Sequence, residues 1–137
     1  MIWQRDHMVR RIFMTDKHSA NVKPSWFGES IGHYENGDTL VIDTIGLSTK
    51  NSYIDNFRTP HTEKLHVVER LKLSPDQKVL EALVRVEDPD TFNEALNMTM
   101  RWRKVPNPLL ETVCAEDNGD YFHQNLFPMP EAKTPDF

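Results

Sequence analysis

A single carboxylate in an apolar row is the residue best suited to chemistry in this chain. Residues 65–73 alternate apolar and polar side chains, which is the period of a half-buried strand, and Glu69 falls on the apolar side. A carboxylate on such a face must be paired, protonated or functional. Glu69 is therefore a candidate general base, while a structural ion pair with an inward Arg10 or Arg101 would also explain it.

General acid–base chemistry also needs a proton donor and a group that stabilises developing negative charge. His61 lies eight residues before Glu69, where a loop enters the strand, and His33 lies on the inferred core face of an earlier hairpin. Either imidazole could donate the proton, and Arg101 or Arg10 could stabilise the charge. The structural alternatives are that His61 caps its loop through a backbone hydrogen bond, and that His33 lies near the hairpin turn with its own hydrogen bonds satisfied.

Aromatic and sulfur-containing side chains could hold a ligand beside these groups. Tyr53 and Phe57 lie in a long connection, where one helical turn could fold over the mouth of a barrel. Met100 and Trp102 share the apolar side of a later strand, and could either line an adaptable pocket or pack the core. The candidate ligand-binding residues are therefore Tyr53, Phe57, Met100, Trp102 and Arg10.

Residues 61–66, with two histidines and a glutamate, invite comparison with a metal site. On a strand, His61 and Glu69 would share one face while His66 points to the other, and the spacing is not that of a helical zinc site. The chain also contains no P-loop, nucleophile-elbow or dinucleotide-binding fingerprint. We therefore expect neither a metal nor a cofactor, and we expect Cys114 to be a buried small apolar residue.

Composition limits the classes of partner. A chain of 137 residues with 38% hydrophobic and 27% charged residues suits one soluble globular domain. Its net charge of −5 argues against a nucleic-acid partner, which would require clustered lysine and arginine. The sequence has no apolar run that could span a membrane and no apolar N-terminal region typical of a signal peptide. We expect a cytoplasmic protein, unless a leader has been removed, without membrane or nucleic-acid partners.

The first hairpin that positions these residues is predicted over residues 30–45. It contains Asn36-Gly37, the pair that favours a type I′ turn because both residues tolerate positive φ. A two-residue loop would pair Ile31 with Ile42 and place His33 on the same face as both.

The second hairpin is predicted over residues 65–88. A turn with proline in its second position is expected at residues 74–77. A four-residue loop would pair Glu69 with Ala82, with apolar residues together on one face and opposite charges on the other. Because alanine is small, this register would leave space beside the carboxylate.

The other segments complete an all-β chain. We expect further strands at residues 7–14, 95–103 and 109–116, and in the first of these Met8 and Arg10 share one face. In the loop 15–28, Trp26 and Phe27 should plug one end of the core. About seven or eight short strands joined mainly by hairpins form an antiparallel meander, which closes most simply into a small β-barrel of the lipocalin type. Residues 1–127 are assigned to this single domain and residues 128–137 to a C-terminal tail.

Four motifs extend over residues 24–118: PSWFGESIGHYENGDTLVIDT, PHTEKLHVVER, EDP and CAEDN. In these motifs the chain resembles a family of uncharacterised bacterial proteins, over about two-thirds of its length. It departs from the family pattern at Tyr34, where the family has tryptophan, and at Asn36, which lengthens a turn by one residue. No activity is established for that family, so the resemblance implies a unified domain and not a chemistry.

The sequence thus predicts a β-barrel that binds a small molecule. Our leading expectation is a cofactor-independent acid–base enzyme, an isomerase, cyclase or lyase, that acts on an apolar or aromatic substrate. The alternatives are a non-catalytic ligand-binding module with the same barrel, and a self-associating module in which an exposed strand edge pairs with a second copy to form a homodimer.

Overall fold

The computed structural model describes residues 1–3, 8–50, 52–55 and 57–106, and within these ranges the chain is all-β without a helix. The predicted strand at residues 109–116, with Cys114, and the predicted tail at 128–137 lie outside the described residues. Over the part of the chain described, no helix has the length and apolar character needed to cross a membrane.

The described strands form two antiparallel sheets. A small sheet pairs β1 with β2, and a larger sheet has the meander order β3-β4-β5-β6-β7, in which every strand pairs with its neighbours in sequence. The strands are β1 (Ile2–Trp3), β2 (Met8–Val9), β3 (Glu29–Glu35), β4 (Thr39–Ile45), β5 (His66–Leu73), β6 (Val79–Glu87) and β7 (Leu96–Arg103).

The larger sheet is open within the described residues, so closure into a barrel of seven or eight strands is not confirmed. Its edges are β3 and β7. Part of the predicted first strand lies beside the β3 edge instead of pairing as a long strand, through a parallel bridge between Phe13 and Ile31. Phe13 N donates to Ser30 O at 2.9 Å, and Gly32 N donates to Phe13 O at 2.8 Å.

The first hairpin has the predicted turn and a register shifted by one residue. Asn36 and Gly37 have φ values of 52° and 75°, as a type I′ turn requires. The last pair before the turn is nevertheless Glu35 with Thr39, so a third residue enters the loop. His33 consequently pairs with Val41 and lies on the face opposite Ile42, which makes the predicted placement of His33 on the core face wrong.

The second hairpin is shifted by two residues, which preserves its faces. Leu73 pairs with Leu80, so residues 74–79 lie between the last paired positions, and Ser74 N donates to Val79 O at 2.8 Å. Glu69 therefore pairs with Val84, while Ala82 pairs with Leu71. The carboxylate keeps its predicted place on the core face, because a shift of two leaves side-chain parity unchanged.

The core lies on the face of the sheet that carries Glu69. Its buried members are Ile42, Leu65, Leu71, Ala82, Val84 and Val86. The same face continues onto β7, where Met100 and Trp102 stay partly exposed. Burial therefore concentrates on β4, β5 and β6, which surround Glu69 on both sides.

A glycine allows the N-terminal segment to lie against this core. A Cβ at Gly32 would stand 2.9 Å from Ile12 Cγ2 and 3.1 Å from the backbone oxygen of Val41, so a larger residue would push the segment away. Ile12 packs against the core cluster. Because side chains two residues apart share a face, the same approach directs Arg10 toward the core side of the sheet.

Candidate functional site

The candidate site is centred on an ion pair between Arg10 and Glu69. Arg10 Nη2 lies 2.5 Å from Glu69 Oε2, and the two side chains are 12% and 17% exposed. Arg10 comes from the N-terminal segment beside β3, whereas Glu69 comes from the middle of β5. The pair therefore joins the edge of the sheet to its centre.

Two buried hydroxyl groups hold the guanidinium in place. Arg10 Nε donates to Ser30 Oγ at 3.0 Å, and Arg10 Nη2 donates to Thr44 Oγ1 at 2.7 Å. The two hydroxyls bond to each other at 2.9 Å across the β3–β4 pair. Ser30 and Thr44 are both buried. Arg10 thus satisfies the polar groups on the core face of two strands while it neutralises a carboxylate on a third.

The carboxylate itself is incompletely satisfied. By distance its contact with Arg10 is an ion pair, but the buried Oε2 atom has no aligned hydrogen-bond partner among the described residues. Arg10 Nη2 donates to Thr44, and its contact with Glu69 Oε2 is short but lacks the alignment of a hydrogen bond. A buried acceptor without a donor costs free energy, and a ligand could supply the missing donor.

A cavity of about 300 Å³ opens beside this pair. Its walls are mainly apolar, and its polar groups belong to Arg10, Thr44 and Glu69. The lining residues are Met8, Arg10, Trp26, Phe27, Thr44, Leu47, Val67 and Glu69. The volume lies at the small end of the range for ligand pockets, so the cavity suits a molecule of one or two rings.

The loop aromatics form a wall of this cavity instead of plugging the core. Trp26 is 62% exposed and Phe27 is also exposed, so the predicted burial of these residues is wrong. Ser25, the residue before them, is fixed by backbone bonds: Ser25 N donates to Gly46 O at 3.0 Å and Ser48 N donates to Ser25 O at 2.8 Å. This anchor holds the two rings over the cavity.

The predicted proton donors lie elsewhere in the fold. His61 is buried, with Nδ1 2.9 Å from Thr62 O and Nε2 3.2 Å from Ser52 Oγ, which ties two loop segments together. His33 is exposed on the other face of the sheet, and its Nε2 lies 3.7 Å from Glu35 Oε1. Neither imidazole lines the cavity beside the Arg10–Glu69 pair.

The other predicted site residues are also dispersed. Arg101 Nε donates to Glu81 Oε2 at 2.6 Å on the face opposite the core. Met100 and Trp102 lie on the core face of β7, away from the lining of the cavity. In the connection before β5, Tyr53 is exposed, and Phe57 is 93% exposed. Among the predicted residues, the cavity brings together only Glu69 and Arg10.

Sequence reasoning missed three residues that build the site, of which Thr44 and Leu47 line the cavity and Ser30 bonds to Arg10. Ser30 and Thr44 are ordinary strand residues, and their burial follows only from the observed hairpin register, which puts them opposite one another. Leu47 lies just after β4 and joins the cavity through its bridge to Ser25. The one available signal was the shared parity of Met8 and Arg10, since both residues line the cavity.

A second buried polar cluster lies at the far end of β6, around Asp88. This aspartate is 1% exposed. Its Oδ2 accepts hydrogen bonds from Thr62 N at 2.5 Å and Thr91 Oγ1 at 3.1 Å, and its Oδ1 accepts from Thr62 Oγ1 at 2.8 Å and Asp90 N at 3.1 Å. Burial acts to raise the pKa of Asp88, but these hydrogen bonds outweigh it and hold the pKa below its ordinary value.

The described residues contain no group of three or more histidine, cysteine, aspartate or glutamate side chains arranged to hold a metal ion.

Comparison with known proteins finds no matching family model, no matching curated protein and no matching solved structure.

Proposed function

We propose that this protein binds a small, neutral, mainly apolar molecule that carries one hydrogen-bond donor. The observation that carries the proposal is Glu69, which lines a ligand-sized cavity and whose Oε2 atom has no aligned donor among the described residues. A hydroxyl or amide N–H of the ligand would supply a donor to this carboxylate. The apolar walls would take the rest of the molecule.

The charges of the site favour a neutral ligand. Arg10 and Glu69 are the charged residues among those described as lining the cavity, and they neutralise each other at 2.5 Å. A charged ligand would lose its hydration in an apolar pocket without a free counter-charge. A neutral donor gains a charge-assisted hydrogen bond at little desolvation cost.

The walls favour an aromatic or planar ligand. Trp26 and Phe27 lie on one side, and the aliphatic side chains Leu47 and Val67 also contribute to the lining. Aromatic rings stack on indole and phenyl groups with a gain beyond simple area burial. A bicyclic phenol is the simplest probe with these properties.

Binding is the broader proposal, and acid–base catalysis is the narrower hypothesis within it. Catalysis by Glu69 would need a second group that exchanges protons, and the described lining residues include no histidine. An isomerase, cyclase or lyase activity would thus depend on water or on the ligand for the second proton transfer. Closure of the sheet into a barrel likewise stays a prediction, and the proposed site does not require it.

A calorimetric titration with two matched probes tests the proposal. 2-Naphthol offers an aromatic body and a hydroxyl donor, whereas 2-methoxynaphthalene has the same rings without the donor. We expect 2-naphthol to bind about tenfold more tightly, which is the value of one hydrogen bond to a charged acceptor. Equal affinity for the two probes would contradict a role for the free oxygen of Glu69.

Two tryptophan variants separate the cavity from nonspecific apolar binding. Trp26→Ala removes an exposed cavity wall and should weaken 2-naphthol binding by about tenfold. Trp102→Ala removes a partly exposed tryptophan on the core face of β7, outside the cavity, and should leave the affinity unchanged. If both variants lose affinity equally, the probes bind to exposed apolar surface and the proposal fails.

A further inference from the structure

A row of five side chains, which alternate between carboxylate and imidazole, crosses the face of the sheet opposite the core. His18 Nδ1 lies 3.0 Å from Glu29 Oε1, and His18 Nε2 lies 2.9 Å from Asp43 Oδ1. His66 Nε2 lies 3.0 Å from the same Asp43 oxygen, and its Nδ1 lies 3.6 Å from Glu87 Oε2. This row joins His18, which lies in a loop, to strands β3, β4, β5 and β6.

The position of His18 allows two hydrogen bonds to carboxylates in only one protonation state. A neutral imidazole has one N–H donor and one lone pair, whereas an imidazolium has two donors. Both ring nitrogens of His18 face carboxylate oxygens at hydrogen-bond distance, and carboxylates are acceptors. Only the imidazolium can donate to Glu29 and Asp43 together. A neutral ring would lose one bond and set a lone pair against a carboxylate.

We propose that protonated His18 is a pH-dependent lock that fastens the loop of residues 15–21 to the outer face of the sheet. The lock closes when the ring carries its proton and opens when that proton is lost. Histidine is the side chain that ordinarily changes charge between about pH 5 and 8. The proposal is independent of the ligand proposed for the cavity.

The groups around His18 come from every strand beneath it. Glu29 faces it from β3 and Asp43 from β4, while His66 from β5 shares the Asp43 oxygen. Glu87 of β6 faces His66 and is paired with Arg85 on its own strand. Both ring nitrogens of His18 lie within 3.0 Å of a carboxylate oxygen, whereas His66 has one contact at 3.0 Å and one at 3.6 Å, so the charged form of His18 gains more.

The acidic partners are held in their ionised forms. Burial acts to raise the pKa of Asp43, but hydrogen bonds from His18 and His66 outweigh it and hold the pKa below its ordinary value. Hydrogen bonds from the side chain and backbone of Ser19, with a smaller one from His18, lower the pKa of Glu29. Acceptors therefore persist through the range in which histidine titrates.

The amide of Ser19 is a natural reporter of the lock. Ser19 N donates to Glu29 Oε1 at 2.8 Å, the same oxygen that His18 Nδ1 contacts at 3.0 Å. When His18 releases Glu29, the carboxylate loses one restraint on its rotamer, and the Ser19 hydrogen bond should open more often. The far end of the loop stays anchored through Ser25, so the effect should be confined to residues 15–21.

The test is an NMR experiment on the full chain in buffer with EDTA, so that no adventitious metal bridges the histidines. Long-range proton–nitrogen spectra report directly whether each ring is neutral or doubly protonated. At about pH 5.5 we expect a doubly protonated His18 and slow exchange of the Ser19 amide. At about pH 8, after correction for intrinsic exchange, that amide should exchange roughly tenfold faster, with higher backbone mobility over residues 15–21.

A pair of histidine variants provides the control. His18→Gln should abolish the pH dependence of Ser19 exchange, because an amide side chain does not titrate. His33→Gln removes an exposed histidine with one distant carboxylate contact and should leave that dependence unchanged. A neutral His18 ring at about pH 5.5 with an ordered loop would overturn the proposal. So would a pH dependence that survives in His18→Gln, and the ring state is measured in the wild-type chain, whatever the variant does.

Discussion

The carboxylates of Asp88 and Glu69 have opposite surroundings. Asp88 accepts four hydrogen bonds from neighbouring loop residues and is almost completely buried. Among the described residues, Glu69 has one cationic partner, Arg10, and a buried oxygen without an aligned donor. Asp88 lies in a closed turn, whereas Glu69 borders a cavity of about 300 Å³.

The difference shows how structural and functional polar groups can be distinguished. A carboxylate whose oxygens are all bonded to its own chain has nothing to offer a ligand, and its role is to fix two loops at the end of β6. A carboxylate that is neutralised but not fully hydrogen-bonded keeps an acceptor free. Burial alone would have ranked Asp88 above Glu69 as a candidate site, and hydrogen-bond accounting reverses that order.

The largest effect on stability is expected at Asp88. Asp88→Ala leaves the amides and hydroxyls of Thr62, Asp90 and Thr91 without their acceptor and should lower the free energy of unfolding by about 3–4 kcal/mol. Asp88→Asn keeps the shape and one oxygen acceptor and should cost about half as much. Urea denaturation measures both. A loss below about 1 kcal/mol in the alanine variant would show that this cluster is not structural.

The ion pair between Arg10 and Glu69 should be dispensable for folding but required for ligand binding. Arg10→Met leaves the partly buried Glu69 without its counter-charge and should cost about 2–3 kcal/mol. Adding Glu69→Leu in the same chain should recover most of that stability, because an apolar pair removes both desolvated charges. The double variant should still lose the preference for 2-naphthol over 2-methoxynaphthalene. If that preference survives, Glu69 is not the acceptor.

Two threonines allow a matched comparison of the clusters. Thr44 bonds to Arg10 and Ser30, and Thr62 donates to Asp88, so valine at either position removes a hydroxyl bonded to a buried charge. We expect each variant to lose about 1–1.5 kcal/mol in thermal or urea unfolding. Only Thr44→Val should also change 2-naphthol affinity. An equal change in both would mean that affinity follows global stability instead of cavity geometry.

The smallest effect is the dependence of stability on acid. The pKa of Asp88 is lowered by folding, so between its folded value and the ordinary value of about 3.9 the unfolded chain binds more protons. Its contribution is complete above the ordinary value and is lost as the pH falls through the folded value. Asp88→Asn should therefore flatten the loss of stability between about pH 5 and pH 2. An unchanged slope would place the acid sensitivity at other carboxylates, such as Asp43.

Much of the architecture could be predicted from local patterns. The alternation in residues 65–73 placed Glu69 on the core face, and the structure confirms that placement. The parity of the N-terminal segment put Met8 and Arg10 on one side, and both residues line the cavity. These predictions hold because side-chain direction along a strand has a period of two, which any local segment displays.

The registers could not be predicted, because they depend on how many residues each turn takes up. One extra loop residue after Asn36-Gly37 moved His33 to the opposite face and brought Ser30 opposite Thr44. In the second hairpin, a loop longer than predicted pairs Glu69 with Val84 instead of Ala82. A shift of one residue reverses the faces, while a shift of two preserves them. The predicted faces were therefore wrong in the first hairpin and correct in the second.

The sequence alone determined the strand alternation, the hairpins and the placement of one glutamate on the core face, since these follow from short-range periodicity and turn chemistry. Only the tertiary structure decided which arginine meets Glu69. Arg10 reaches it because Gly32 lets the N-terminal segment lie close to the sheet, whereas Arg101 points to the opposite face and pairs with Glu81. Contacts between distant segments depend on packing and register together, and neither is encoded in the pattern of any single strand.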